Sequence, residues 1–139
     1  MDYINQHLPF MKTPWSFLNR TRILAVDDEV GFTRLLALAA RQFEICAVND
    51  PRRAIEVATE FHPDLILMDR YMARMSGDLL ARSFGAHPKL SHIPIAFVTA
   101  SVPRDEAGGF HTHLDGRPVL MKPVSIAQIE QCVRECVKR

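Results

Sequence analysis

The sequence predicts an α/β domain with a doubly wound sheet of five parallel strands, each followed by a helix. Apolar runs of about four to six residues alternate with segments whose apolar residues recur at helical spacing. The apolar runs are continuous, which is typical of strands covered on both faces of a parallel sheet. We therefore expect right-handed crossovers and a ligand site beyond the carboxyl ends of the strands.

The first half of this pattern starts at Arg22 and alternates strand and helix twice. Residues 22–26 (RILAV) are the first predicted strand and residues 44–48 (EICAV) the second. Asp50 is the predicted N-cap of the second helix, and Pro51 suits its first position. The predicted inner faces of these helices are Phe32, Leu35, Leu36, Ala39 and Phe43 in the first and Ile55, Ala58 and Phe61 in the second.

The second half supplies three more strands and two well-defined helices. Residues 63–69 (PDLILMD) are the third predicted strand, 93–100 (IPIAFVTA) the fourth and 118–121 (PVLM) the fifth. Gly77 is predicted to open the third helix. The predicted buried side chains are Leu79, Leu80 and Phe84 in the third helix and Ile126, Ile129, Val133 and Val137 in the last.

The fourth helix is the weakest prediction, whereas the last helix has a clear start. Residues 101–116 (SVPRDEAGGFHTHLDG) could hold one helix, but Gly108 and Gly109 together would destabilise its interior by about 2 kcal/mol relative to alanines. We expect this helix to be short, frayed or displaced. Ser125 is the predicted N-cap of the last helix, with Gln128 at the capping-box position.

The size and charge of the chain narrow its class. Its 139 residues suit one domain, and 47% hydrophobic and 24% charged residues are ordinary for a globular protein. The formal net charge of +1 argues against nucleic-acid binding through bulk electrostatics, and the scattered arginines are interpreted mostly as solvated. No stretch approaches the roughly 20 apolar residues of a membrane span, so we expect no membrane association.

The cysteines favour a reducing cytoplasm as the location. Cys46, Cys132 and Cys136 do not form a disulfide framework, and no secretory signal precedes them. Cys132 and Cys136 lie one helical turn apart, with His111 and His113 nearby in sequence, but no second pair has zinc-ligand spacing. We interpret the cysteines as small buried hydrophobic side chains, with a zinc site as the minor alternative.

Residues 1–21 form an N-terminal extension, and residues 22–139 form the domain. The stretch HLPFMKTPWSFLN is aromatic and interrupted by prolines, and it has neither helical nor strand periodicity. Two interpretations stay open. The extension is a mobile tail, or it is an arm whose Phe10, Trp15 and Phe17 dock on this domain or on a partner.

Charged and hydroxyl side chains stand where the predicted strands stop. Asp27 and Asp28 follow the first strand, Asp69 ends the third, Thr99 lies at the end of the fourth and Lys122 follows the fifth. Carboxylates in one crevice raise each other's pKa unless a cation joins them, and oxygen ligands with room for water suit Mg²⁺. An aspartate can attack phosphorus, while a metal and a lysine neutralise the transferring oxygens. The set therefore predicts a phosphoryl-accepting site.

This ordered set resembles the receiver domain of two-component response regulators. The resemblance covers residues 22–139 and rests on the segments ILAVDDE (23–29), LILMDRYMARMSG (65–77), IAFVTA (95–100) and VLMKP (119–123). An isolated pair of aspartates is a weak signal, whereas the full ordered set is a strong one. The resemblance implies a flavodoxin-like (βα)5 fold with strand order 2-1-3-4-5, and a signalling protein rather than an enzyme.

The resemblance also implies a role for each residue of the site. Asp69 would be the phosphoacceptor, Thr99 the switch hydroxyl and Lys122 the clamp on the phosphoryl group. The implied Mg²⁺ ligands are Asp27 (mainly through water), Asp28, Asp69 and the backbone carbonyl of Tyr71.

Two loop positions match the family pattern and two depart from it. Gly77 would begin its helix where a side chain would crowd the loop, and the peptide bond before Pro123 is expected to be cis. The family usually has proline where this chain has Ala73, so we expect a less rigid loop. The family often has Tyr or Phe where this chain has Val119, so we expect a partial switch, or one that works through residues 101–116.

Three functions stay open. The first is a single-domain response regulator without an output domain, which receives its phosphoryl group from a histidine kinase or phosphotransfer protein. It would signal by altered binding to a downstream protein, or it would pass the phosphoryl group along a relay. A homodimer through the predicted fourth helix, fifth strand and fifth helix is a further expected partner. The second is a pseudo-receiver interaction module, favoured by Val119. The third is a haloacid-dehalogenase-type phosphatase, which requires an acid two residues after its nucleophile on the first strand. Here the acidic Glu29 lies two residues after Asp27, and Tyr71 lies two residues after Asp69.

Overall fold

The computed structural model describes residues 20–101 and 112–138. Its strands are β1 (Arg22–Val26), β2 (Glu44–Val48), β3 (Leu65–Met68), β4 (Ile95–Thr99), β5 (His113–Leu114) and β6 (Arg117–Met121). Its helices are α1 (Val30–Ala39), α2 (Ala54–Phe61), α3 (Gly77–Ala86) and α4 (Ile126–Cys136), with a 3₁₀ turn, Pro51–Arg53, before α2. None of the helices described here is long and apolar enough to cross a membrane.

Five of these strands run parallel in the order β2-β1-β3-β4-β6. This confirms the predicted flavodoxin-like α/β fold, with β6 as the predicted fifth strand. β3 and β4 are shorter than predicted. Pro63 and Pro94 precede them and have no N–H to donate to a neighbouring strand, which is why each ladder begins later.

The sheet differs from the prediction at one edge, where it has a sixth strand. β5 pairs antiparallel with the start of β6 through the two-residue turn Asp115–Gly116. Both turn residues have positive φ, 51° and 78°, as the Asp-Gly sequence favours in such hairpins. The sequence prediction placed these residues at the end of a weak helical segment and overlooked the hairpin signal.

Two sequence predictions fall outside the described residues. The first is the N-terminal extension, residues 1–21, of which residues 1–19, including Phe10, Trp15 and Phe17, are not described. The predicted fourth helix, with Gly108 and Gly109, falls mainly on residues 102–111.

The sheet separates two apolar layers. Leu24 and Val26 of β1 join the buried side chains of α2 and α3 on one face. Ile23 and Ala25 of the same strand join those of α1 and α4 on the other face. The central strands are therefore covered on both sides, and their carboxyl ends meet at one edge of the domain.

The predicted inner faces were wrong at Leu35 and Ala39 of α1 and at Leu79 of α3, because these residues are exposed. Leu35 is 66% exposed and Leu79 is 55% exposed. In α1 the buried side chains are Thr33 and Leu36. A buried threonine was not expected, because its hydrogen-bond partner is a residue that follows β2.

The last helix begins as predicted. The Ser125 hydroxyl accepts a hydrogen bond from the Gln128 backbone N–H, and the Gln128 side chain accepts one from the Ser125 N–H. This reciprocal capping box fixes the direction in which the chain leaves β6.

Candidate functional site

Three aspartates gather at the carboxyl edge of the sheet. β1 and β3 are parallel neighbours with Val26 opposite Met68, so the residues that follow them are adjacent. One oxygen from each of Asp27, Asp28 and Asp69 lies within 4.8 Å of the other two. Asp27 and Asp69 are buried. Three carboxylates at this spacing form an anionic cluster that favours a cation.

Lys122 reaches this cluster from the end of β6. Its Nζ lies 2.6 Å from Asp27 Oδ2, 3.0 Å from Glu29 Oε1 and 3.5 Å from Asp69 Oδ2. The same Nζ lies 4.4 Å from the centre of the Phe32 ring. Only 13% of the lysine side chain is exposed, so its charge acts in a partly dehydrated environment.

The Asp27–Lys122 pair has shifted proton affinities. Burial raises the pKa of Asp27, and its hydrogen bonds with Lys122 and with the Glu29 N–H offset this only in part. Burial acts against the charge of Lys122, but hydrogen bonds to Asp27 and Glu29 outweigh it and raise the lysine pKa. Lys122 is therefore held as a cation, and a further cation beside Asp27 would favour the ionised form of that carboxyl.

Backbone amides also orient the other two carboxylates. The Tyr71 N–H donates to Asp69 Oδ1 at 3.2 Å, and the Ala73 N–H donates to Asp28 Oδ2 at 2.8 Å. The Tyr71 side chain is 58% exposed and lies beside the Arg70 guanidinium, 5.2 Å from the ring centre. Its backbone carbonyl as a metal ligand stays a prediction.

Gly77 lies where a side chain would collide with the loop, as predicted. Its N–H donates to the Arg70 carbonyl at 2.8 Å. A Cβ at this position would lie 2.7 Å from the Arg70 Cα and closer still to the Asp69 backbone oxygen. The start of α3 therefore packs directly against the backbone of Asp69.

Thr99 ends β4 at the same edge and is buried. Its hydroxyl oxygen accepts a hydrogen bond from the Ser101 N–H at 3.4 Å, so its own proton can be donated elsewhere. Its carbonyl accepts a bond from the Lys122 N–H at 2.9 Å, which joins the ends of β4 and β6. The Lys122–Pro123 peptide bond is cis, as predicted.

Sequence reasoning missed the roles of two residues near the cluster. Glu29 was recognised as acidic, but its contact with Lys122 was not expected. Asn49, which follows β2, donates to the Asp27 carbonyl at 2.8 Å and to the Thr33 hydroxyl at 2.9 Å. Asn49 thereby links three elements beneath the site and explains why a threonine is buried in α1.

Two interpretations made from the sequence need correction or limits. Arg70 is not a solvated arginine, since its side chain is 15% exposed and pairs with Asp78 at 3.0 Å. Cys132 is buried and Cys136 half-buried, with their sulfurs 3.9 Å apart. Among the residues that the structure describes, the three aspartates are the group with metal-ligand spacing. His111, named in the zinc alternative, is not among the described residues.

Comparison with known proteins gives consistent matches. A family model described as the response regulator receiver domain matches residues 23–134. A probable cyclic di-GMP phosphodiesterase of Vibrio cholerae is 32% identical over 118 residues, which is 84% of this chain and 26% of that protein. The response regulator PleD of Caulobacter vibrioides is 37% identical over 81 residues, 57% of this chain and 18% of PleD. This chain thus spans about a quarter or less of those two relatives.

A solved structure shares the fold. The chemotaxis protein CheY4 of Vibrio cholerae aligns with a TM-score of 0.70 and 20% sequence identity. The alignment covers 85% of this chain and 99% of CheY4. At this level of identity the likeness concerns the arrangement of strands and helices alone.

Proposed function

The chain belongs to the response regulator receiver domain family, and from this premise we propose that it accepts a phosphoryl group on Asp69 with the help of Mg²⁺. Receiver domains are signalling proteins that generally bind Mg²⁺ at an acidic pocket and interact with histidine kinases and downstream targets. One observation carries the proposal. The Lys122 ammonium lies 3.5 Å from Asp69 within a cluster of three carboxylates.

The donor set of the cluster fits Mg²⁺. This ion prefers oxygen ligands, binds through one or two carboxylates and keeps several waters. Asp27, Asp28 and Asp69 would hold it, together with the backbone carbonyl of Tyr71. When bound, the ion would neutralise carboxylate charge and polarise the oxygens of the transferring group. The raised pKa of Asp27 supports this, because a second cation beside that carboxyl would favour its ionised form.

Asp69 is the nucleophile in this proposal. One of its carboxylate oxygens forms a bond to the phosphorus of a phosphohistidine, the P–N bond breaks, and the electron pair leaves with the imidazole. The donor would be a histidine kinase or a phosphotransfer protein. The Tyr71 N–H holds Asp69 Oδ1, and so limits rotation of the carboxylate. Water would later hydrolyse the acyl phosphate slowly. This autodephosphorylation ends the signal and acts on no separate substrate.

Two side chains would act on the transferred group. The Lys122 ammonium neutralises charge on the phosphoryl oxygens, and the Thr99 hydroxyl donates a hydrogen bond to one of them. Movement of Thr99 would carry the change to the surface that binds a downstream protein. Because Val119 lies opposite Phe97 and has no large ring, we propose a partial switch. Amide NMR shifts on phosphorylation as large in α4 as beside Asp69 would contradict a partial switch.

Homodimerisation through the last strand and last helix is part of the proposal. The described portion of that face, β6 and α4, lines a pocket of about 370 Å³ with polar side chains that include Gln128, Gln131 and Glu135. Sedimentation equilibrium with and without phosphorylation would test it. A sedimenting mass that stays monomeric in both states would contradict it.

A second candidate function is a pseudo-receiver that binds its partner without a phosphorylation-dependent switch. Val119 is the observation that favours it, since a buried valine offers little change of shape on a movement of Thr99. This candidate predicts equal partner affinity with Asp69 phosphorylated or not.

Intact mass spectrometry tests the main proposal. The protein is incubated with Mg²⁺ and acetyl phosphate beside Asp69→Asn and a control, Asp50→Asn, which changes an N-cap aspartate outside the cluster. We expect one added phosphoryl mass on the wild type and the control, and none on Asp69→Asn or without Mg²⁺. No added mass, even with a phosphorylated histidine kinase as donor, would overturn the proposal.

A further inference from the structure

We infer that Glu29 is a positioning residue, which holds the Lys122 ammonium on the α1 side of the site and thereby slows phosphorylation of Asp69. This inference rests on the proposed function, because it assumes that Lys122 acts on the phosphoryl group. Glu29 has no assigned part in that chemistry.

The contacts of Lys122 are uneven. Its Nζ lies 3.0 Å from Glu29 and 3.5 Å from Asp69, the residue it would have to serve. The shortest contact, 2.6 Å, is to Asp27. An ammonium group has three N–H donors, and two of the three nearest carboxylates belong to the segment between β1 and α1. The ammonium is therefore held toward that segment.

Glu29 is itself held in place, and its side chain has no other described role. Its backbone N–H donates to Asp27 Oδ1 at 2.9 Å. Glu29 is the N-cap of α1, yet its carboxylate makes no capping hydrogen bond. Short residues such as Ser or Asp usually cap helices, because their oxygen reaches back to the first turn. The longer glutamate extends instead to Lys122.

Phe32 adds a second contact from the same turn. Its N–H donates to the Glu29 carbonyl at 3.1 Å, which fixes the spacing of the two side chains along α1. Its ring centre lies 4.4 Å from Lys122 Nζ, within the range of a cation–π interaction. The first turn of α1 thus offers the lysine a carboxylate and an aromatic face together.

Glu29 differs from the other anions around Lys122 because it is outside the metal-binding group. That group consists of Asp27, Asp28 and Asp69. A bound Mg²⁺ would neutralise those carboxylates and leave Glu29 as the competing partner of the lysine. The phosphoryl group must then draw Lys122 away from Glu29. The Glu29 side chain is 64% exposed, so the competition is modest and the expected effect is a few-fold change in rate.

Two variants separate the contact from its charge. Glu29→Gln removes the negative charge, whereas Glu29→Asp keeps the charge and withdraws it by one methylene. We expect both to increase the initial rate of phosphorylation by acetyl phosphate about threefold at saturating Mg²⁺. Glu130→Gln serves as the control, since that carboxylate contacts Gln42 and is expected to leave the rate unchanged. An increase in Glu29→Gln alone, or a decrease in either variant, would overturn the inference.

A second measurement does not depend on phosphorylation. Hydrogen exchange at the Lys122 ammonium is followed by ¹⁵N NMR in the absence of Mg²⁺ and phosphodonor. We expect exchange about threefold faster in both Glu29 variants than in the wild type. Unchanged exchange would overturn the inference, whereas a wild type that takes up no phosphoryl mass would overturn the proposed function instead.

Discussion

The backbone N–H of Ala73 donates a hydrogen bond to Asp28 Oδ2 at 2.8 Å. Proline, which the family usually has at this position, has no N–H and could not make this bond. The sequence predicted a less rigid loop from the loss of proline. That stays a prediction. The structure shows that alanine permits a hydrogen bond between the loop after β3 and the aspartate after β1.

Replacement of Ala73 by proline should weaken Mg²⁺ binding. Without the N–H, Asp28 loses a charge-assisted hydrogen bond that orients it toward the cluster. We expect the Mg²⁺ dissociation constant to rise about threefold to tenfold, measured by isothermal titration calorimetry. Ala73→Gly keeps the N–H and should bind Mg²⁺ nearly as the wild type does. Equal weakening in both variants would contradict the role of the Ala73 N–H, because Ala73→Gly retains it.

Gly77→Ala should lower the free energy of unfolding by about 2 kcal/mol or more, because the new Cβ would collide with the backbone of Asp69 and Arg70. Urea denaturation measures the change. Gly31→Ala is the matched control in α1, where a Cβ would meet nothing within 4 Å. That variant should stabilise the protein by about 0.5 kcal/mol through helix propensity. Similar losses in both would refute the steric explanation.

Asn49→Ala should destabilise the protein by about 1–3 kcal/mol, since it leaves the Asp27 carbonyl and the Thr33 hydroxyl without their donor. A double-mutant cycle with Thr33→Val measures the part that depends on their contact. We expect a coupling energy of about 1 kcal/mol. Strictly additive effects would show that Asn49 acts through Asp27 alone.

Stability should fall at alkaline pH because of Cys132. Burial, with the neighbouring Cys136 adding to it, raises the pKa of Cys132 from 9.0 to about 12. The folded state therefore retains a proton that the unfolded state releases, so this contribution is complete below pH 9 and is lost as the pH rises toward 12. Between pH 8 and pH 10.5 the wild type should lose about 2 kcal/mol more than Cys132→Ala in urea denaturation. Parallel curves for the two proteins would contradict this.

The fold and the position of the acidic cluster were predictable because both follow from local patterns. Asp27 and Asp69 each follow a continuous apolar strand. Any parallel sheet that pairs β1 with β3 therefore brings these two aspartates together. The start of the last helix was likewise predictable, because the capping box of Ser125 and Gln128 lies within four residues of sequence.

Features that depend on contacts between distant residues were not predictable. Thr33 is buried only because Asn49, from another element, supplies its hydrogen bond. Glu29 and Lys122 are 93 residues apart in sequence, and no local pattern shows that their side chains meet. Leu35 was placed inside because helical spacing alone fits more than one face of α1.

The hairpin at the sheet edge has a consequence for assembly. The two-residue strand β5 covers the start of β6 on one side of the sheet, while β2, five residues long, forms the opposite edge. Over residues 20–101 and 112–138, the sheet thus offers one long edge on which a further strand could add. Strand addition through a single edge ends with a pair of molecules, whereas two open edges permit a growing filament. By pairing with Arg117 and Pro118, the Asp115–Gly116 hairpin therefore leaves less of that edge open to strand addition than β2 leaves at the opposite edge.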